Sequence, residues 1–251
     1  MQLLSNSKLK ELASFRQQKV CEDRGVFVAE GSKLASEILS MQVPIHTLCA
    51  TSGWYEENGS DHPMVSSQWI VDENQLERIS LQRQPNKVWM LVERSAAQMQ
   101  VSKYALREPA LTLVLDRIQD PGNLGTIIRI ADWFGIRRIV CSADTVSCFN
   151  PKVVQATMGS LFRVSVSYCS LAKWLLGCGL PVYGALLDGT DLRQVDLAKR
   201  AVLVIGNESQ GVSPEICSLL THRIAIPNVG NTCESLNAAS ATAILVSKFL
   251  M

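Results

Sequence analysis

Residues 111–135, LTLVLDRIQDPGNLGTIIRIADWFG, decide the fold that we predict for this chain. The run Leu111–Leu115 is apolar and ends in Asp116, as expected of a strand that is buried on both faces of a sheet. The polar turn Asp120–Asn123 follows, after which apolar residues recur at helical spacing until Gly135, which is placed to stop the helix. A strand, a turn and an amphipathic helix form the first half of a βαβ unit. The stretch therefore predicts an α/β fold with a parallel sheet.

The remainder of segment 110–251 continues the alternation of strands and helices. Its short apolar runs predict strands at 138–141, 162–166, 182–186, 201–205 and 223–226. Its helical patterns lie at 152–158, 171–176, from Ser213-Pro214 onward and at 235–250, with a polar stretch at 188–200. Strands that alternate with helices predict a doubly wound, mostly parallel sheet.

Residues 1–94 form a first and smaller α/β domain by the same criteria. Strands are predicted at 26–29, 45–50, 65–71 and 88–92, and helices at 6–17, 32–40 and 72–80, with a polar loop at 51–63. Residues 95–109 are polar and end at a proline, which is typical of a linker. The predicted organisation is therefore a domain at 1–94, a linker at 95–109 and a second domain at 110–251.

The composition excludes several classes of protein. No apolar run approaches the roughly 20 residues that a membrane-spanning helix needs, and the N-terminal residues do not resemble a signal peptide, so we expect a cytoplasmic protein. The eight cysteines include no C-x-x-C pair and there are only three histidines, which predicts free thiols and no metal site. The net charge is +1, so nucleic-acid binding would need a local basic patch. Candidates for such a patch are Lys8, Lys10, Arg16, Lys19, Arg24 and Lys33.

Polar or glycine-bearing segments follow several predicted strands. They lie at 116–125, 187–189, 206–211 and 227–237. Ligands of open parallel sheets bind at the carboxyl edge, where these segments meet, and Gly206 would let a ligand approach the backbone. A purely structural explanation exists for each: Arg129 as a solvated helix residue, Glu208 as a loop carboxylate, Ser235 as a helix cap. The G-x-G-x-x-G dinucleotide pattern is absent, which weighs against an oxidoreductase of Rossmann type.

Three of these stretches resemble the signature motifs of the SpoU, or TrmH-like, RNA 2′-O-ribose methyltransferases in order, spacing and context. They are NLGTIIRIA (123–131), GNESQG (206–211) and IPNVGNTCESLNAA (226–239). The stretch FNPKVVQATMGSLFRV (149–164) is similar to the family's intermediate segment, and FVAEGSKLASEIL near the N-terminus is similar to the ribosomal-protein-like domain that often precedes the catalytic one. The resemblance implies a C-terminal trefoil knot, S-adenosylmethionine bound in it, and a homodimer formed through the C-terminal domain.

The resemblance also implies two groups of site residues. The cofactor-binding group is Leu187, Gly189, Gly206, Asn207, Ile226 and Leu236. The catalytic group is Asn123, Arg129, Glu208, Ser235 and Asn237. Arg129 could grip the neighbouring phosphate and stabilise the developing alkoxide, whereas its guanidinium is a poor base because it stays protonated. The proton acceptor is left open.

The chain departs from the family pattern at two places. Gly230 and Ser235 are five positions apart, where four is more usual, and Gln155 and Thr157 stand where arginine and serine are common. The first departure concerns the cofactor loop and the second concerns RNA or dimer contacts, while the catalytic group is intact.

The resulting hypothesis is an enzyme that methylates a ribose 2′-hydroxyl in structured RNA. Ribosomal RNA is favoured over transfer RNA because the chain carries a separate N-terminal domain. The alternative is a non-catalytic RNA-binding or ribosome-assembly protein that retains the cofactor pocket. A nicotinamide-dependent oxidoreductase is a third hypothesis, which recovery of bound nicotinamide cofactor would revive.

Overall fold

The computed structural model describes residues 2–102, 110–230 and 234–251. The chain forms two compact units. The first is Met1–Val101 with Phe149–Phe162, and the second is Ser102–Cys148 with Arg163–Met251. The predicted division at 1–94, 95–109 and 110–251 is strictly sequential, whereas the first compact unit takes in a piece from the middle of the third segment.

The first unit contains a five-stranded mixed sheet. Its strands are β1 (Gln2–Leu3), β2 (Val26–Glu30), β3 (Ile45–Ala50), β4 (Val65–Ile70) and β5 (Val88–Glu93), in the spatial order β1-β4-β3-β5-β2. Strand β5 pairs antiparallel with β2 and β3, and the other neighbours are parallel. The helices in the first 102 residues are α1 (Asn6–Ser14), α2 (Gln18–Asp23), α3 (Ser32–Ser40), α4 (Ser52–Asn58), α5 (Glu73–Ile79) and α6 (Arg94–Ser102).

Two predictions for this unit were wrong. The predicted loop 51–63 contains α4, which begins where the Thr51 side chain accepts a hydrogen bond from Trp54 N–H and which buries Trp54 and Tyr55. The flanking polar and glycine residues concealed this pair of core aromatics. The predicted helix 6–17 ends at Ser14, and a separate helix, α2, follows it. Of the predicted linker, residues 95–102 lie in α6, and residues 103–109 lie outside the described part of the chain.

The second unit contains a six-stranded sheet in which every pairing is parallel, so the predicted parallel sheet is confirmed. Its strands are β6 (Leu111–Asp116), β7 (Arg138–Cys141), β8 (Ser165–Tyr168), β9 (Val182–Asp191), β10 (Ala201–Gly206) and β11 (His222–Ala225), in the order β11-β9-β10-β6-β7-β8. The helices after residue 110 are α7 (Pro121–Trp133), α8 (Pro151–Thr157), α9 (Leu171–Gly177), α10 (Pro214–Cys217) and α11 (Ala238–Leu250). Strands β6 and β10 are buried, as their apolar runs predicted, and they form the centre of this sheet.

Helix α8 belongs to the first unit, although its neighbours in the chain belong to the second. It packs against β2, and the Phe27 ring of β2 lies 5.0 Å from that of Phe149 and 6.1 Å from that of Phe162. Residues Ser160–Phe162 form a 3₁₀ turn that buries Phe162. The predicted strand at 162–166 was therefore placed too early, because part of its apolar run serves this contact instead of the sheet.

Three boundaries bear on the candidate site. Strand β9 continues to Asp191, well past the predicted end at 186, because its polar end pairs with β11 across a bulge. Helix α7 starts at Pro121 with Asp120 as its cap, so Asn123 lies in the first helical turn instead of the predicted turn before the helix. Gly135 has φ +72° just past the end of α7, which confirms it as the helix stop. Across the described ranges, no helix is long and apolar enough to cross a membrane.

Candidate active site

Asn123, Glu208 and Asn237 are far apart in sequence and form one chain of hydrogen bonds. Asn123 Nδ2 donates to Glu208 Oε1, and Asn237 Nδ2 donates to Asn123 Oδ1 at 2.8 Å. Asn237 Oδ1 accepts hydrogen bonds from the backbone N–H groups of Ala239 and Ser240 at 3.0 and 3.2 Å. Asn237 is thus both the cap of α11 and the last member of the chain.

The helix cap sets the direction of all these hydrogen bonds. Because the Asn237 oxygen is occupied by backbone donors, its amide nitrogen must face Asn123. Asn123 then uses its oxygen toward Asn237 and its nitrogen toward the Glu208 carboxylate, which can only accept when ionised. The amide of Asn123 is therefore held in one orientation from both sides, as a preorganised polar site requires.

Each member of this network is placed by a local feature of the backbone. Asp120 Oδ1 accepts from Asn123 N–H at 2.8 Å, which fixes the first turn of α7. Glu208 lies in the Gly206–Gly211 loop that follows β10, and this loop is closed by the Asn207 N–H to Gly211 O and Gly211 N–H to Asn207 O hydrogen bonds of 3.1 and 2.9 Å. The site thus joins the first turn of α7, the loop after β10 and the cap of α11 at the carboxyl edge of the sheet, where the sequence predicted a ligand site.

Gly206 and Asn207 build this loop. A Cβ on Gly206 would lie 2.3 Å from Gly211 C and Val212 N, so closure of the loop by itself requires glycine at this position, and the close approach of a ligand stays a prediction. Asn207 Oδ1 accepts from Ser209 N–H at 2.9 Å and Gln210 N–H at 3.1 Å. Both residues therefore set the shape of the loop.

A cavity of about 990 Å³ opens beside the ends of β10 and β11, at the upper end of the usual range for ligand pockets. Predicted residues that line it are Leu187, Gly206, Asn207, Glu208, Ile226, Ser235 and Leu236. Gly189 is not among the lining residues of the described chain. A Cβ at Gly189 would meet the backbone of Ile224 at 2.5 to 2.8 Å, so this glycine is explained by the close pairing of β9 with β11.

The cavity combines apolar side chains with carboxylates. Leu187, Val229 and Leu236 are 79 %, 85 % and 48 % exposed, which is unusual for large apolar side chains and indicates an unfilled apolar surface. Glu208 and Glu234 also line the cavity. Its cation, Arg223, is paired with Asp188 at 2.9 Å. This lining suits an organic ligand that combines an apolar ring system with positive charge. Among the described residues, no cluster of His, Cys, Asp and Glu could hold a metal ion.

Comparison with known proteins decides the family. Residues 110–247 match the SpoU rRNA Methylase family, and residues 6–89 match the MRM3-like substrate binding domain. The chain belongs to the SpoU rRNA Methylase family. The resemblance inferred from the three motifs is thereby confirmed.

Proteins similar to this SpoU chain over nearly its full length include two solved structures. A TrmH-family protein from Porphyromonas gingivalis is 36 % identical, with a TM-score of 0.82 over 98 % of each chain. An AdoMet-bound rRNA methyltransferase from Sinorhizobium meliloti is 28 % identical, with a TM-score of 0.76 over 99 % of this chain and 97 % of that one. The 23S rRNA (guanosine(2553)-2′-O)-methyltransferase RlmP of Bacillus subtilis is 28 % identical over 96 % of this chain and 95 % of its own length.

Two of the SpoU motif residues lie outside the hydrogen-bonded chain. Ser235 lines the cavity, and because Asn237 caps α11, the capping explanation for Ser235 is wrong. Arg129 lies on the exposed face of α7 and makes no hydrogen bond or ion pair with any residue that the structure describes. Thr126, Arg129 and Trp133 share that exposed face at helical spacing, and Trp133 is 86 % exposed.

The sequence did not indicate that two residues beside the SpoU site, Asp116 and Arg117, contact the Gly206–Ser213 segment, which carries Glu208. The sequence predicts Asp116 only as the end of a strand. In the structure it is 3 % exposed, and its carboxylate accepts a hydrogen bond from Ser213 N–H, beyond the loop that carries Glu208. The signal was available: a charged residue that ends a fully buried central strand needs a partner, since unpaired buried charge is costly. The partner was not predictable, because it lies 97 positions away.

Proposed function

We propose that this SpoU-family chain transfers a methyl group from S-adenosylmethionine to a ribose 2′-hydroxyl of structured RNA. The observation that carries the proposal is the chain Glu208–Asn123–Asn237, which fixes the orientation of a polar group beside a large cavity. Family membership supports the reaction class. The full-length similarity to a 23S rRNA 2′-O-methyltransferase supports ribosomal over transfer RNA as the substrate.

The cavity residues fit S-adenosylmethionine in character. The apolar side chains of Leu187, Ile226 and Leu236 would hold the adenine and ribose, and Glu208 and Glu234 offer carboxylates to the positively charged end. When bound, this cofactor supplies a methyl group that is activated by a sulfonium. The cavity volume accommodates a ligand of this size.

The chain's own residues would supply orientation and electrostatic stabilisation. Asn123 presents a fixed amide, so it can hold the ribose without reorganising during the reaction. Arg129 is exposed and makes no hydrogen bond or ion pair with the described residues. It would bind the RNA phosphate next to the ribose and stabilise negative charge that develops on the 2′-oxygen. Correct orientation of this kind can be worth effective molarities of about 10⁵–10⁸ M.

We also propose a homodimer formed through the second unit. Its support is the exposed face of α7 with Trp133, together with Ile244, which is 44 % exposed on the neighbouring helix α11. Burying these side chains against a second copy would remove apolar surface from water and bring Arg129 to a shared site. The alternation of strands and helices predicts the doubly wound arrangement, the family resemblance implies the trefoil knot, and we expect the protein to act in the cytoplasm.

The test is transfer of labelled methyl from S-adenosylmethionine to unmodified ribosomal and transfer RNA pools, followed by nucleoside analysis. Label in a 2′-O-methylnucleoside of the ribosomal pool would support the proposal in full. Label confined to the transfer RNA pool would overturn the substrate preference. Tight cofactor binding without transfer to either pool, or to ribosome-assembly intermediates, would favour the non-catalytic RNA-binding alternative.

A further inference from the structure

Asp116 is the last residue of β6 and Arg117 follows it directly, and this pair contacts the Gly206–Ser213 segment at two places. The Asp116 carboxylate accepts a hydrogen bond from Ser213 N–H through Oδ2 at 2.6 Å. Arg117 O accepts one from Asn207 Nδ2 at 2.9 Å. These two contacts fix the beginning and the end of the segment that lines the cavity.

The side chain of Arg117 lies along the same segment. Its Nη1 donates to Gln210 Oε1 at 2.7 Å and its Nη2 donates to Gly211 O at 3.4 Å. Its Nε lies 3.5 Å from Asp116 Oδ1, and the two side chains are 24 % and 4 % exposed. Because a guanidinium presents its donors as a rigid planar fork, one side chain can bind a side-chain oxygen and a backbone carbonyl together.

The backbone at Arg117 is in an unfavourable conformation. Its φ is +61°, a left-handed value that glycine adopts readily and other residues rarely do. The backbone is held there by the Arg117 N–H, which donates to Ser142 Oγ at 2.8 Å, as well as by the contact to Asn207. An arginine is thus kept where a glycine would fit with less strain, which points to a use for its side chain.

We propose that Arg117 and Asp116 are positioning residues that hold the Gly206–Ser213 segment closed along the cavity. Held in this way, the segment keeps S-adenosylmethionine bound and keeps Glu208 within reach of Asn123. The inference rests on the proposed function. Neither residue lines the cavity in the described structure, so both act through the segment and not through the ligand.

Amide hydrogen exchange in the ligand-free protein tests the closure itself. Arg117→Gly removes the guanidinium and suits the left-handed backbone, so we expect it to fold. Exchange at residues 209–213 should become about tenfold faster, the effect of losing hydrogen bonds to a charged group, with no change in α7. Arg117→Lys should give an intermediate value, because a single ammonium replaces the fork. Arg138→Ala is the matched control, since Arg138 is an exposed arginine of β7.

Calorimetric titration with S-adenosylmethionine tests whether the closed segment strengthens cofactor binding. Arg117→Gly should raise the Kd about tenfold while lowering methyl transfer at saturating cofactor less than about threefold, because Asn237 still holds Asn123. Exchange and Kd equal to those of the wild type would overturn the inference, as would a fall in transfer with unchanged Kd. A wild-type protein that binds no cofactor would overturn the proposed function instead, and the exchange measurement would still decide whether the closure exists.

Discussion

Replacing Asn237 by aspartate separates the two roles of this residue. Asn237→Asp retains an oxygen for the backbone N–H groups of Ala239 and Ser240, and a carboxylate is among the best helix caps. The substitution removes the amide nitrogen that donates to Asn123 at 2.8 Å. Asn123 then lies between two acceptors, the new carboxylate and Glu208, and its amide can no longer satisfy both in a single orientation.

The expected magnitudes follow from these contacts. Asn237 is exposed, so water can replace the lost donor, and Asn237→Asp should lower the free energy of unfolding by no more than about 1 kcal/mol. Asn237→Ala loses the cap and the hydrogen bond together, at about 1 kcal/mol each, and should cost about 2 kcal/mol. Both variants lose the fixed orientation of Asn123, so methyl transfer should fall roughly 10²-fold in each, the usual cost of removing one preorganised donor.

Urea unfolding followed by circular dichroism measures the stabilities, and labelled methyl transfer at saturating S-adenosylmethionine and RNA measures the activities. Wild-type transfer by Asn237→Asp would refute the idea that the direction of the hydrogen bonds matters. Equal destabilisation by the two variants would show that Asn237 does not stabilise α11 as its cap.

Four further outcomes are expected. Arg129→Ala should abolish methyl transfer and leave the Kd for S-adenosylmethionine within about twofold, measured by calorimetry, because an isolated surface change perturbs little else. Glu30→Gln should remove a fall in the free energy of unfolding that the wild type shows as pH rises above about 4.5, measured by urea titration at several pH values. Gly206→Ala should destabilise the protein by about 1–3 kcal/mol in urea unfolding, since its Cβ would overlap the backbone. Trp133→Asp should convert a dimer to monomers in sedimentation, because it places charge in the apolar contact.

The sign of the Glu30 prediction comes from its burial. Glu30 is 4 % exposed, and burial raises its pKa above the ordinary value, against the opposing effects of hydrogen bonds from Ser80 and Leu81 and of the Arg16 charge. The folded state therefore binds the proton more tightly than the unfolded chain. Stability is greatest below the ordinary pKa of glutamate and falls as pH rises through the raised one. A Glu30→Gln variant with the same slope as the wild type would contradict this account.

The other three predictions also have contradicting outcomes. Loss of cofactor binding in Arg129→Ala would make that residue structural. Gly206→Ala with wild-type stability would mean that the loop can move aside. If Trp133→Asp sediments like the wild type, any dimer contact lies elsewhere on the surface. Arg138→Ala is the control for a surface substitution outside the proposed contact.

The sequence predicted those parts of the fold that depend on local pattern. The buried strand β6 was found because its residues are mostly apolar, and α5 because Asp72 is a favourable residue at a helix start, where the structure shows a capping box with Gln75. Helix α4 was missed because the evidence for it is tertiary: Trp54 and Tyr55 are buried, and Tyr55 Oη donates hydrogen bonds to Leu48 O and Trp69 O on the neighbouring strands β3 and β4. The grouping of Phe149–Phe162 with the first unit was missed for the same reason, since it depends on Phe27.

The candidate site was predicted as a set of residues but not as an arrangement. Motif resemblance named Asn123, Glu208 and Asn237 together, while the direction of their hydrogen bonds depends on the cap of α11. The contacts of Arg117 could not be predicted, because its partners Gln210 and Gly211 are more than 90 positions away.

The packing of α8 on β2 has a consequence for exchanging modules between relatives. Phe27 contacts Phe149 and Phe162, and the Arg94 guanidinium lies 4.8 Å over the Phe149 ring. A chimaera that took only residues 1–94 from another family member would therefore pair a foreign β2 with the native residues 149–162. The first unit should therefore be transplantable only as a two-part graft, residues 1–101 together with residues 149–162, so the two pieces are expected to diverge together during evolution.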